Sequence, residues 1–172
     1  MQLRPATLDD LALLQHWDTQ PHVAESGGED DWFDWPAELA HDPEWREQLI
    51  AELDGRPIGI VQIIDPQLEE THYWGEIEAD LRAIDIWIGE PADLGRGYGT
   101  EMMRLALARC FADAKVKAVL VDPLAVRERA HRFYRRAGFE PIERRVFQCE
   151  ECLVHRLDRG RWESLQATAA PS

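Results

Sequence analysis

Apolar residues recur along this chain with two periods, every second position in some stretches and every third or fourth in others. That alternation predicts strands interleaved with helices. Residues 3–6 read as a short first strand. Thr7 then caps a helix over 8–17, with Asp10 three residues on forming a weak capping box and Leu11, Leu14 and Trp17 on the inner face. The stretch 20–35 is irregular, and a short helix follows over 36–41 with Pro36 at its start. Residues 48–53 and 57–64 read as strands, and Asp54-Gly55 between them is a hairpin signal. A long connection, 65–83, leads into a strand over 82–89 with Ile84, Ile86 and Ile88 on one face and Asp85 and Trp87 on the other. A helix over 101–112 carries Met103, Leu107, Cys110 and Phe111 as its buried stripe. The next strand, 115–121, is stopped by Asp122-Pro123. A helix over 127–137 ends at Gly138, two strands follow at 139–147 and 151–157, and the tail 159–172 is expected to be loose.

With 172 residues the chain is most simply one domain over 1–158 plus that tail. The net charge of −14 argues against nucleic acid and anionic membranes as partners and favours cationic small molecules; the same acidity also serves solubility alone. The first residues lack an apolar signal core and no stretch is long enough to span a bilayer, so a cytoplasmic protein is expected. Three cysteines are too few for a disulfide framework. Cys149 and Cys152 form a single Cys-x-x-Cys with His155 nearby, half of what a zinc site needs, and no metal is expected. Serine occurs only at 26, 164 and 172, never in a nucleophile elbow.

Candidate chemistry gathers at Leu94-Gly95-Arg96-Gly97-Tyr98-Gly99-Thr100, where a strand hands over to a helix. Glycine lets the main chain turn sharply, and a helix start offers unpaired N–H groups and partial positive charge, which together cradle phosphate oxygens. No lysine is present for a nucleotide P-loop, and the glycine spacing is not that of the dinucleotide fingerprint. The alternative is a plain glycine-rich turn. Asp85 in an apolar strand is costly unless it is paired, for example with Arg82, or used. Glu25, Glu29, Asp30, Asp31 and Asp34 lie among Trp32, Phe33 and Trp35, which suits either a polycation or a loop pinned by its tryptophans. Arg127, Arg129, Arg132, Arg135 and Arg136 crowd one helix, as a phosphate-binding face or as a solvated one.

The glycine turn, followed by Phe133-Tyr134-Arg135-Arg136-Ala137-Gly138-Phe139-Glu140, resembles the GNAT acyltransferase superfamily. Within it, Ile84-Asp85 before the turn and Asp122-Pro123 after the next strand are similar to the aminoglycoside 6′-N-acetyltransferases, and neighbours that acylate siderophore amines also fit. The resemblance covers residues 3–157 and is strongest over 84–140. It implies an α/β (α+β) fold, a mixed, mostly antiparallel central sheet with a splayed strand pair, flanked by helices. It implies acetyl-CoA as co-substrate, with its pyrophosphate on the main-chain N–H groups of Gly95, Arg96, Gly97, Tyr98, Gly99 and Thr100. Its pantetheine arm would lie along Ile86, Trp87 and Ile88, with Arg127 and Arg132 nearby. N–H groups near Ile88 would stabilise the oxyanion. Tyr134 would protonate the leaving thiolate, and Asp85 would orient or deprotonate the acceptor amine. Asp122, Glu70, Trp32 and Trp35 would bind that amine, and a monomer or homodimer is expected. The chain departs from the pattern in three places. Leu94 stands where Gln or Arg is frequent, and Arg127 where an asparagine often holds pantetheine. Glu25-Ser26-Gly27-Gly28 lacks the paired tryptophans that precede Gly-Gly in the antibiotic-modifying enzymes. The same resemblance admits a siderophore-precursor or polyamine acyltransferase, and a non-catalytic CoA-binding module.

Overall fold

The computed structural model describes residues 1–25 and 33–169. Its strands are β1 (Gln2–Pro5), β2 (Arg46–Leu53), β3 (Arg56–Ile64), β4 (Leu81–Ile88), β5 (Ala118–Val121), β6 (Glu140–Phe147) and β7 (Glu150–Asp158). They form one seven-stranded sheet in the order β1-β2-β3-β4-β5-β7-β6. The β4–β5 pair is parallel and every other pair is antiparallel. The helices are α1 (Leu11–Asp18), α2 (Pro21–Ala24), α3 (Trp35–Ala40), α4 (Tyr98–Ala112), α5 (Glu128–Arg136) and α6 (Arg159–Ala169).

Local sequence explains most of the frame. Asp54 and Gly55 both take positive φ, +53° and +77°, as a two-residue turn between antiparallel strands requires. Leu53 pairs with Arg56 directly across it. The predicted alternation in β4 holds: Ile84, Ile86 and Ile88 join the core that packs under α4, while Trp87 joins Leu14, Trp17, Trp35, Ile50 and Ile60 on the other face. One residue breaks the alternation of β3. The register shifts between Ala51 and Glu52, and Ile58 is the extra residue that lets both Ile58 and Val61 face α4. Arg4 grips Asp10 with two bonds of 2.8 and 2.7 Å and ties β1 to the entry of α1. Asp10 also accepts the Thr7 N–H at 2.8 Å, which is one half of the capping box. Cys110 is buried in the α4 core, where burial pushes its thiol up to about 12 and leaves it inert.

Several expectations are corrected. The tail is not loose but forms α6 over Arg159–Ala169. Trp162 stacks on Phe111 at 4.7 Å, and Arg159 donates to the carbonyls of Val116 at 2.8 Å and Phe111 at 3.1 Å, where a cation meets the end of α4. Residues 8–10 form a short 3₁₀ turn before α1, and α2 appears in a stretch expected to be irregular. β5 is shorter than predicted because Val116 N–H turns back to Asp113 C=O and Lys117 N–H reaches Asp80 C=O before the ladder begins. Among the described residues no helix is long and apolar enough to cross a membrane.

Gly89, just past β4, is fixed by packing. A Cβ there would lie 2.0–2.2 Å from the indole of Trp17, which is fully buried. Gly89→Ala is therefore expected to cost about 2 kcal/mol by overpacking, read as a lower urea midpoint at unchanged slope.

Candidate active site

The site begins where two strands part. β4 and β5 share only the couples Leu81 with Ala118, Arg82 with Val119 and Ala83 with Leu120. β4 continues to Ile88 while β5 ends at Val121 and pairs with β7 on its far side. β3 holds β4 along the parted length, as far as Gly59 opposite Ile88. Gly89 N–H donates to Ile58 C=O at 2.9 Å, which sets the phase of that ladder. In an antiparallel pair, successive residues turn their main-chain groups toward the partner and then away. Trp87, opposite Ile60, therefore faces β3, and Ile86 and Ile88 turn theirs into the gap. The Ile88 carbonyl there receives Nε2–H of His22 on α2 at 2.8 Å.

Asp85 and Asp122 each stand two residues beyond the last couple, Ala83 with Leu120. Side chains alternate along a strand, so both carboxylates leave on the face that Ala83 and Leu120 occupy. Tyr134 belongs to the core on the opposite, α4-side face. Its phenol is raised above the ordinary tyrosine value, first by burial, then by the charges of Asp85 and Asp122. The two faces thus meet electrostatically through the gap. Arg82, the structural partner considered for Asp85, is committed to Asp65 at 3.0 Å and Asp113 at 3.8 Å.

A tyrosine outside the sequence candidates completes the carboxylate face. The Tyr73 hydroxyl donates to Asp122 Oδ2 at 2.7 Å. Glu69, only 7 % exposed, accepts the N–H groups of Thr71 at 2.6 Å and Tyr73 at 2.8 Å and so fixes the connection that carries this ring. The ring lies flat on Phe147, 4.5 Å away at an interplanar angle of 8°.

Beyond β4, a 3₁₀ turn at Pro91–Asp93 leads to the glycines. Asp93 is buried and takes two bonds from Arg56, 2.7 and 3.0 Å, which anchor the turn to the start of β3. Gly95 and Gly97 have φ of +75° and +84°, and a Cβ on either would meet nothing within 4 Å. They serve a left-handed main chain beside open space. The Gly97 carbonyl accepts the N–H groups of Thr100 at 3.1 Å and Glu101 at 3.2 Å as α4 starts. Among the described residues, the N–H groups of Gly95, Arg96, Gly97, Tyr98 and Gly99 find no acceptor in the protein.

The structure thus brings together Asp85, Asp122, Tyr134, Ile86, Ile88 and the glycine turn. Three expectations change, those for Trp35, Trp87 and Thr100. Trp35 is 1 % exposed, packed on Phe33 at 4.9 Å and bonded through Nε1 to Asp18 at 2.6 Å, so its ring has no free face for an acceptor. Trp87 spends its main-chain groups on β3 and its ring in the same aromatic cluster. The Thr100 N–H is spent inside the first turn of α4. Arg127, preceding α5, bonds the Glu25 carboxylate at 3.3 Å and the Glu25 carbonyl, while its buried Nε has no partner among the described residues. Arg96 and Arg132 are exposed, and Glu70 is exposed 3.8 Å from His41. Trp32 lies outside the described residues, as do Glu29, Asp30 and Asp31. Tyr73, Glu69 and His22 were missed. Tyr73 and Glu69 lie in the long acidic connection, whose length was their one sequence signal, and nothing marks His22.

Known proteins carry the same frame. The acetyltransferase (GNAT) domain family matches residues 6–147. This chain belongs to that family. It is 33 % identical over 147 residues to aminoglycoside N(6′)-acetyltransferase type 1 of Klebsiella pneumoniae, covering 80 % of this chain and 73 % of that one. A kanamycin resistance protein of Rhizobium radiobacter is 37 % identical over 75 residues, 42 % of this chain and 69 % of the relative. The crystal structure of aminoglycoside acetyltransferase AAC(6′)-Ib with coenzyme A and kanamycin superposes with a TM-score of 0.84 at 29 % identity, covering 96 % of this chain and 98 % of that one. The seven-stranded, mostly antiparallel open sheet is therefore the GNAT fold, and the chain is an acetyltransferase.

In this GNAT protein the pair Arg56–Asp93 decides where the glycine turn sits, and the pair has a pH signature. The guanidinium bond to Arg56 holds the Asp93 carboxyl below its ordinary value, against burial, which acts the other way. A depressed carboxyl contributes stability above its unfolded value of about 4 that is lost as pH falls through the folded value. Asp93→Asn is thus expected to unfold at a lower temperature than the parent at pH 7, with the difference shrinking below about pH 4. Melting curves across that range check it.

Proposed function

We propose that this GNAT acetyltransferase moves an acetyl group from acetyl-CoA to the 6′ primary amine of an aminoglycoside, by direct attack with both substrates bound. The observation that carries the reading is the gap between β4 and β5, with two carboxylates on one face and, in the core on the other, a buried phenol that feels the charge of both. The relatives named for aminoglycosides and the neighbour holding coenzyme A with kanamycin support it. So does a net charge of −14, which draws polycations.

The residues present fit acetyl-CoA. The unpaired N–H groups from Gly95 to Gly99 suit a pyrophosphate, with Arg96 and Arg132 adding charge from the surface. The main-chain groups of Ile86 suit an amide of the pantetheine arm, and the buried Nε–H of Arg127, which meets no acceptor among the described residues, is a second donor. Acetyl-CoA supplies the activated thioester. Asp85 orients the acceptor ammonium and takes its proton, directly or through water, which frees the nitrogen lone pair for attack. Asp122, with Glu70 further out, holds positive charge on the acceptor. The Ile88 N–H faces charge developing on the thioester oxygen. Tyr134 gives its proton to the departing sulfur. Burial makes this phenol a weaker acid than the free value of about 10, so it stays protonated at neutral pH. A cation seated between Asp85 and Asp122 cancels part of the field that raises it, which couples acceptor binding to the acid's readiness.

Thiol release from acetyl-CoA, assayed against a panel of amines, tests the reading. Turnover with kanamycin-type amines is expected. Turnover confined to lysine-derived hydroxylamines or linear polyamines would transfer the protein to siderophore or polyamine acylation, and coenzyme A binding with no transfer to any amine would leave a binding module. Asp85→Ala is expected to lower turnover about a hundredfold, and a near-normal rate would refute its role. Gly97→Ala, at φ +84°, strains the turn and is expected to raise KM for acetyl-CoA about tenfold with KM for the amine unchanged.

A further inference from the structure

We infer that Tyr73 is a positioning residue for the acceptor: its hydroxyl pins one oxygen of Asp122 so that this carboxylate stays charged and aimed beside Asp85. The inference rests on the proposed aminoglycoside reading and deepens it.

The Tyr73 hydroxyl lies 2.7 Å from Asp122 Oδ2, and Asp122 remains partly open to solvent. Asp122 follows β5 just past the last couple with β4. The phenol reaches its carboxylate from outside the sheet, from the connection between β3 and β4. It is itself held at three points: Glu69 takes its N–H at 2.8 Å, Phe147 stacks on its ring at 4.5 Å, and Trp74 meets it edge-on at 5.8 Å. Arg145 in turn lies 5.5 Å over the Phe147 ring and donates to the Trp74 carbonyl at 3.1 Å. A ring braced so heavily, with its one polar atom on a carboxylate, costs little entropy to keep in place.

The chemistry gives the contact a direction. Burial, then the charge of Asp122, hold the Tyr73 phenol far above its ordinary value, so it acts only as a donor. A donor to a carboxylate favours the charged form, and two carboxylates at one mouth otherwise resist being charged together. Tyr73 thus helps Asp122 remain an anion next to Asp85, which is what a polyammonium guest needs. Tyr73 acts through Asp122, so its effect belongs to acceptor binding and to pH.

The test uses the full chain with Tyr73→Phe, Asp122→Asn and the double variant. Kanamycin affinity is measured by calorimetry from pH 5 to 8, with KM for acetyl-CoA and melting temperature alongside. The expected result is a roughly tenfold weaker affinity for kanamycin in Tyr73→Phe, from loss of a hydrogen bond to a charged group. Melting temperature and KM for acetyl-CoA should hold, and the acid limb of kanamycin binding should move to higher pH. Adding Tyr73→Phe to Asp122→Asn should then change kanamycin affinity little. Equal weakening toward both substrates, an unmoved acid limb, or full additivity in the double variant would overturn the inference. A Tyr73→Phe chain that melts far below the parent would also overturn it, in favour of a purely structural ring. A parent protein that binds coenzyme A but not kanamycin would remove the aminoglycoside reading itself, which a defect confined to the variants would not.

Discussion

A strand paired along one edge and released by its neighbour along the other is the constraint on which this molecule depends. Buried main-chain N–H and C=O groups need partners, and among the described residues β4 has strand partners only on the β3 side once Ala83 and Leu120 are passed, with His22 meeting the Ile88 carbonyl on the other. Two features keep that released edge from collapsing. β3 holds β4 through to Ile88, and β7 draws β5 away by pairing with it from Val121 to Ala118. What remains is a slot, an opening between two strands with main-chain groups on its β4 side, suited to a chain that carries its own amides. The glycine turn continues directly from the end of β4 and is tied back to β3 by Arg56 and Asp93, so slot and turn move as one piece.

The slot also decides the electrostatics. Because strand side chains alternate, the first same-face residues past the parting are Asp85 and Asp122, and they stand side by side on two strands that are no longer bonded to each other. Placing two carboxylates together raises their proton affinity unless something positive or a donor stands near. The protein supplies a phenol donor to one of them, Tyr73 to Asp122. On the opposite face the same two charges act on the buried Tyr134 phenol and add to the effect of burial, so one pair of anions is felt on both faces of the sheet.

How much of this was legible in the sequence follows from how local each cause is. The Asp54-Gly55 turn, the alternation of β4 and the left-handed glycines are dictated within a few residues, and they stood as read. Asp85, Tyr134 and Asp122 became candidates through resemblance, and the register of β4 against β5 brings the two carboxylates together. What failed was decided at long range. Trp35 looked like a surface aromatic in an acidic loop, but its indole finds Asp18 and a cluster of rings that no local pattern announces. The tail has only Trp162 and Leu165 as large apolar anchors, so its helix was invisible until Phe111 and the carbonyls around the end of α4 were in place. Trp87 and Thr100 fell inside correctly placed motifs, yet the phase of a ladder and the first turn of a helix removed their N–H groups from use.

The residues that sequence reasoning missed lie largely in connections. The groups suited to acetyl-CoA lie on regular elements, β4 and the start of α4, where geometry follows from periodicity. Those proposed for the acceptor come largely from connections: Tyr73 and Glu69 between β3 and β4, and Asp122 after β5. A connection can change its residues with little cost to sheet pairing, because its bonds are few and local, as with the two N–H groups that Glu69 gathers. A residue on β4 has no such freedom, since a change there disturbs the β3 ladder and the core under α4 together. The fold therefore puts its most constrained positions on β4, between a ladder and a core, and leaves its connections to vary. Contacts such as that of Tyr73 with Asp122 arise between connections and become visible only when the chain is folded.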